Sequence, residues 1–171
     1  MARQEGPWFT LQRLCLSTLG APGLPPGYTA RHVEHGEVDA RSAAHRAAWS
    51  DDSPSSVSAA RYARLAATAP YDHRLDWVAL DRSGEMVGSV TVWYAGGDAL
   101  VEPAGVVPEH RGRGLAGALT LAALAAARDL GATDAIVRPR GDDDYPVPAK
   151  VYRSVGFADL AQTRNLRLTC P

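Results

Sequence analysis

Two cysteines in 171 residues, Cys15 and Cys170, sit at opposite ends of the chain and give neither a metal-ligand spacing nor a disulfide framework. The five histidines, His32, His35, His45, His73 and His110, show no metal-binding spacing either, so no metal is expected. Charge of one sign is also missing. Lys and Arg number 18 against 19 Asp and Glu, and a formal net charge of -1 argues against a general nucleic-acid binder, which needs a broad basic surface. No apolar run approaches the ~20 residues that span a bilayer, and Met1 to Pro7 lack the apolar region of a signal peptide. A cytoplasmic protein with no membrane contact is expected. There are no internal repeats. What is left is an ordinary globular composition, 46% hydrophobic and 22% charged, in a length that suits one domain.

The most informative run is Val106-Val107-Pro108-Glu109-His110-Arg111-Gly112-Arg113-Gly114-Leu115-Ala116, which joins an apolar strand end to an Ala/Leu helix through Gly and Arg. Gly112 and Gly114 carry no Cβ, so backbone can approach a ligand there. The amides from Arg113 to Ala116 would point outward at the positive end of the helix dipole. Arg111 and Arg113 add charge and forked donors, and the whole reads as a phosphate-holding turn. The P-loop spacing G-x-x-x-x-G-K-[ST] is absent. Gly112, Gly114 and Gly117 do spell G-x-G-x-x-G, but four residues separate them from Val107, and the next strand, Ala135 to Val137, ends in Arg138 and not in an acid. An RNA-binding reading of the Arg-Gly run lacks both basic flanks and aromatic platforms.

Along the chain, residues 8 to 19 alternate as a strand, and Gly20 to Gly27 form a Pro/Gly linker. The sequence therefore divides into an extension over 1–27 and a domain over 28–171. Tyr28 to Val33 begins a second strand. Helices are expected over Glu37 to Trp49 and Ser56 to Ala69, with Ser55 or Ser56 as N-cap of the second and a polar turn, Ser50 to Pro54, between them. Leu75 to Asp81, Met86 to Tyr94 and Asp98 to Val107 make an antiparallel meander. Leu115 to Leu130 is apolar nearly all round and should be a buried helix ended by Gly131. A short strand over Ala135 to Val137, a helix over Pro148 to Val155 and a closing strand region over Phe157 to Thr169 complete the chain.

Val106, Pro108, Arg111, Gly114 and Ala116 resemble motif A of the GCN5-related N-acetyltransferases (GNAT), V-x-P-x-x-R-x-x-G-x-[GA]. Tyr152, Gly156 and Phe157 are similar to that family's Y-x-x-x-G-F segment, in the family's order. The resemblance covers residues 28 to 171. It implies the acyl-CoA N-acyltransferase fold, an α/β (α+β) arrangement with a central mixed, mostly antiparallel sheet flanked by helices. It also implies acetyl-CoA as co-substrate and a small-molecule amine as acceptor, joined by direct attack in a ternary complex. In tandem members a strand and a Pro/Gly linker lead into the second domain. Residues 1 to 27 are then either the tail of a first domain or an extension packed on the sheet edge. In either case Trp8, Phe9, Leu11, Leu14 and Leu16 predict an ordered strand, added to this chain's sheet or to a second copy's, which would make a homodimer.

By the same resemblance, the strand ending at Val106 and Val107 splays from its neighbour and leaves a backbone N–H for the acetyl carbonyl. Arg111, Gly112, Arg113, Gly114, Leu115 and Ala116 hold the pyrophosphate. Tyr152 is the candidate proton donor to the leaving thiolate, since a phenol titrates near ~10 and a thiol near ~8.5; the alternative is a core tyrosine anchoring its helix. Glu102, five residues before Val107 on the strand, is the candidate base if half-buried; it reads equally as a surface carboxylate or an ammonium-binding group. Trp49 to Pro54 lie where the family's acceptor site is covered. Asp142, Asp143 and Asp144 would attract a cationic acceptor or are simply solvated, and His73 reads as a surface residue. Seven residues before Tyr152, where many members have Asn, stands Tyr145, so that coenzyme contact does not carry over, and Pro146 and Pro148 shorten the following helix. A different class of function also fits these motifs: a CoA-binding regulatory or partner module without turnover.

Overall fold

The computed structural model describes residues 2–4, 6–51 and 54–168. Its strands are β1 (Ala2–Gln4), β2 (Phe9–Cys15), β3 (Thr29–His32), β4 (Asp76–Leu80), β5 (Met86–Ala95), β6 (Asp98–Val106), β7 (Asp134–Val137), β8 (Ala158–Thr163) and β9 (Leu166–Leu168). The helices are α1 (Val38–Ala48), α2 (Ala59–Ala66), α3 (Leu115–Asp129) and α4 (Val147–Ser154). Seven strands form one sheet in the order β3-β4-β5-β6-β7-β2-β8, and β1 pairs with β9 apart from it. Every neighbouring pair in the large sheet is antiparallel except β6 with β7. The expected mixed, mostly antiparallel sheet flanked by helices is therefore what the chain builds. None of the described helices is long and apolar enough to cross a membrane.

The two faces of the sheet are told apart by two glycines. A Cβ on Gly88 would meet Leu119 of α3, whereas one on Gly105 would meet Ala48 and Trp49 at the end of α1. Gly88 pairs with Val106 and Gly105 with Ser89, so adjacent positions of β5 and β6 face opposite helices, as the two-residue strand period requires. On the α3 side, Leu115, Leu119, Ala123, Leu124 and Ala127 are buried in the main core. The small alanines let this helix lie close to the strands.

The alternating segment near the N-terminus becomes β2, but not at an edge. It pairs with β7 through Gln12 to Cys15 and with β8 through Phe9 to Arg13, so it fills the interior of its own chain's sheet. β8 reaches that sheet only through β2. Gln12 is fully buried and donates from Nε2 to the Ala149 carbonyl at 3.2 Å and to Asp159 Oδ1 at 2.7 Å. After a short 3-10 turn at Leu16–Thr18, the Pro/Gly segment carries the chain to the opposite edge, and Leu19, Leu24 and Tyr28 pack on the core as it passes. The closing region also differs from expectation. It divides into β8 and β9, which belong to different sheets.

A polar network fixes α1 and α2 to the sheet. Arg41 of α1, 2% exposed, donates from Nε to Asp76 Oδ1 at 2.9 Å and from Nη2 to Thr91 Oγ1 at 3.1 Å. Asp76, with no exposed surface, also accepts from the hydroxyls of Tyr62 at 2.7 Å and Tyr71 at 3.1 Å. Burial and the Asp76 charge push both phenols above their usual range. α2 begins later than its sequence pattern suggests, because Ser58 supplies the cap by accepting from the Arg61 amide at 3.2 Å. Removing one member of a buried ion pair leaves the other charge uncompensated. Asp76→Asn should therefore lower unfolding free energy by about 3 to 5 kcal/mol in urea titrations. A loss below about 1 kcal/mol would mean that the network does not hold these helices.

Candidate functional site

The parallel pairing of β6 with β7 is short. It covers Asp98 to Leu100 opposite Asp134 to Ile136, and β6 then runs on to Val106 paired with β5 but no longer with β7. A cleft of about 580 Å³ occupies the gap, with Val101 to Ala104 on one wall and Val137 to Pro139 on the other. Tyr152 and Pro148 of α4, His45 and Trp49 of α1, and residues 54–57 with Arg61 close it.

Ladder alternation decides which amide faces this gap. The Val107 amide donates to the Val87 carbonyl at 2.9 Å, on the β5 side. In an antiparallel ladder the next residue directs its N–H and C=O the other way, so those of Val106 face the gap. The Val106 carbonyl is covered there by Arg111 Nε at 3.0 Å, and the Val106 N–H is the donor that a ligand can use. Of the two valines expected to serve through their backbone, Val107 is already engaged.

The Gly/Arg turn follows. Gly112 and Gly114 have φ of +72° and +82°, a region that disfavours side chains, and the space around both is open. Gly114 caps α3, whose first amides have no partner within the helix. Among the described residues, no acceptor is found for the amides of Arg113 to Ala116. The turn thus presents backbone donors at a helix N-terminus, which fits a pyrophosphate. The guanidinium of Arg111, expected at the pyrophosphate, makes contacts within the chain. It donates to the carbonyls of Val106 and Ala48 and to both oxygens of Asp51, the last at 2.7 and 3.0 Å, and so clamps the end of α1 to the end of β6. Arg113 donates to Tyr28 Oη at 2.9 Å and to the Glu109 carbonyl at 3.1 Å, holding the turn from its other side.

Tyr152 and Glu102 are brought into the same cleft. Tyr152 is 8% exposed and packs edge-on against Phe157 at 5.6 Å. Burial, reinforced by the negative charge of Glu102, pushes its phenol up to about 12. Glu102 is exposed, not half-buried, and its carbonyl accepts from Trp93 Nε1 at 2.6 Å. The acidic loop stays outside the cleft. Asp142 pairs with Arg140 and accepts the Tyr145 amide, Asp143 and Asp144 are exposed, and Tyr145 stacks on Arg140. His73 lies elsewhere, against His32 and His35.

Two cleft residues, His45 and Arg138, had no role in the sequence reading, whereas Trp49 belongs to the stretch expected over the acceptor site and does line the cleft. His45 stacks on Trp49 with ring centroids 4.4 Å apart, and the Trp49 ring covers the backbone of Gly105 so closely that a Cβ there would lie 2.4 Å from it. Arg138 stands just past the end of β7 on the far wall.

A model of the acetyltransferase (GNAT) family matches residues 41–157. Among solved structures, a GCN5-related N-acetyltransferase from Sphaerobacter thermophilus is 23% identical with a TM-score of 0.82, over 95% of this chain and 51% of that one. A GCN5-related N-acetyltransferase from Kribbella flavida is 22% identical with a TM-score of 0.66, over 96% and 59%. A tandem GNAT protein from the clavulanic acid biosynthesis pathway is 22% identical with a TM-score of 0.67, over 95% and 54%. The chain thus spans between half and three fifths of the length of these proteins. A comparison with curated protein sequences gives no match.

His45 provides a pH test of the cleft wall. Burial first, and then the Arg41 charge, push its imidazole down to about 4. The unfolded chain takes up this proton near ~6.5, so the folded state is favoured fully above that pH and progressively less down to about 4. NMR of the His45 ring should give a midpoint near 4, and His45→Gln should flatten the fall in melting temperature between these pH values. A midpoint above ~6 would place the ring in solvent instead.

Proposed function

We propose that this chain, which belongs to the acetyltransferase (GNAT) family, transfers an acetyl group from acetyl-CoA to the amine of a small molecule within a ternary complex. The observation that carries this reading is the cleft in the gap between β6 and β7, lined by Tyr152 and Glu102, with the turn of unpartnered amides following the end of β6. Acetyl-CoA, when bound, supplies the acyl group as a thioester. The amides of Arg113 to Ala116 hold its pyrophosphate, and the Val106 N–H donates to the acyl oxygen as charge develops on it. Glu102, exposed on the cleft wall, attracts the acceptor ammonium, which gives up its proton to water. The amine nitrogen then bonds to the acyl carbon, the carbon–sulfur bond breaks, and the second proton that the nitrogen loses on becoming an amide passes to solvent.

Tyr152 keeps its hydroxyl proton at working pH and donates it towards the departing sulfur. With the phenol near 12, full transfer to a thiolate is uphill by about 3 to 4 pK units. Donation therefore has to accompany bond breaking and cannot precede it. The tyrosinate regains its proton from solvent.

Two variants test the reading. Gly114→Asp puts a carboxylate beside the phosphates and a side chain at a positive φ, and should weaken acetyl-CoA binding by about tenfold or more in calorimetry. Tyr152→Phe should reduce turnover by about 10²- to 10⁴-fold while changing acetyl-CoA affinity little. Wild-type turnover in Tyr152→Phe would assign the proton to another donor. Tight acetyl-CoA binding with no turnover of any amine would identify the chain as a coenzyme-binding module.

A further inference from the structure

We infer that the acceptor is an amine that also carries a carboxylate or phosphate, and that Arg138 binds this anionic group. The inference rests on the acyl-transfer reading above and names the substrate class of that same cleft. Arg138 lines the wall opposite Glu102. Its guanidinium is held on three sides: Nε donates to Thr163 Oγ1 at 2.7 Å, Nη2 donates to Asn165 Oδ1 at 3.1 Å, and Cζ lies 4.2 Å from the centre of the Phe9 ring. All three partners are neutral. They orient the cation without compensating it, and among the described residues no carboxylate pairs with it. The nearby Arg13, Arg140 and Arg153 differ, for each pairs with an aspartate.

Nη1 and the second hydrogen of Nη2 remain as a fork for two oxygens of a ligand. Because the group is already oriented, little side-chain entropy is lost on binding. Arg61, which also lines the cleft and has no ion pair among the described residues, adds positive potential from the α2 side. The charges are thus arranged for a zwitterion, with the amine beside Glu102 and Tyr152 and the anion on Arg138. An acceptor carrying only positive charge would be disfavoured by the two guanidiniums in the cleft lining.

The test compares acetyl transfer by the full chain to matched amines: β-alanine against propylamine, L-phenylalanine against phenethylamine, and O-phosphoethanolamine against ethanolamine. The acidic member of at least one pair should be preferred in kcat/KM by about tenfold or more, and which pair responds separates carboxylate from phosphate. In Arg138→Gln that preference should fall towards one, mainly through KM, and Arg138→Lys should restore only part of it because a point charge lacks the fork. Asn165→Leu keeps the charge but releases a tether, and should reduce the preference in the same direction. A wild-type preference for the neutral amines, or a preference unchanged in both Arg138→Gln and Asn165→Leu, overturns the inference. If acetyl-CoA binds but no amine is acetylated, the acyl-transfer reading falls separately. Calorimetry with N-acetyl-L-phenylalanine and N-acetyl-O-phosphoethanolamine then decides the anion site: binding lost in Arg138→Gln supports it, and binding that is absent or unchanged overturns it.

Discussion

The ion pair between Arg41 and Asp76 is the constraint on which the cleft depends. A charged pair taken out of water is seldom a net source of stability, and packed apolar side chains would often serve stability as well. What the pair provides is position. Asp76 begins β4 and Arg41 lies in the first half of α1, so their 2.9 Å contact sets where the helix sits along the sheet. Tyr62 and Tyr71 bring α2 and the segment before β4 to the same carboxylate. At its other end α1 is held by Arg111, which bonds to the Ala48 carbonyl and to the strand end at Val106. With the helix held at both ends, His45 between the anchors and Trp49 just past them form a wall of the cleft.

The opposite wall is fixed by strand pairing. Two parallel strands that diverge after three residue pairs expose the inner edges of both, and nothing in β6 or β7 alone prevents them from closing. β2 prevents it by pairing with the outer edge of β7 along Gln12 to Cys15, while β8 and the buried Gln12 amide tie β2 to α4. Tyr152 is carried on α4. The N-terminal strand therefore helps to set the width of the gap and the place of the phenol above it, although none of its residues lines the cleft.

The features legible in the sequence are those that contiguous residues encode. Glycines at positive φ, a Pro-containing strand exit and an apolar helix lie within one run from Val106 to Ala127, so the turn and α3 could be read directly. The same holds for the hairpins of the meander, where alternation and a Gly84 turn coincide. The polar network was not legible, because Arg41 and Asp76 are separated by 35 residues and an arginine in a helix pattern resembles any solvent-facing residue. Nor does alternation in Phe9 to Cys15 say whether a strand is central or at an edge, since that depends on which neighbours leave an edge free. Arg111 and Val107 show the same limit at the scale of single groups. Their types suit phosphate and acyl-oxygen binding, but their actual partners come from α1 and β5, and only the folded chain supplies them.

The division of labour at the turn follows from where its cations point. Arg111 and Arg113 each donate to groups of the protein itself, so the donors left open at the turn are amides fixed in space at the positive end of the α3 dipole. Such donors need no side-chain ordering on binding, which lowers the entropic cost of holding a diphosphate. The arginines contribute by shaping the site: without Arg111 the Val106 carbonyl would lose its cover and α1 its lower anchor. A residue type typical of phosphate recognition is here engaged in holding the end of α1 against the end of β6, beside the cleft that Glu102 and Tyr152 line.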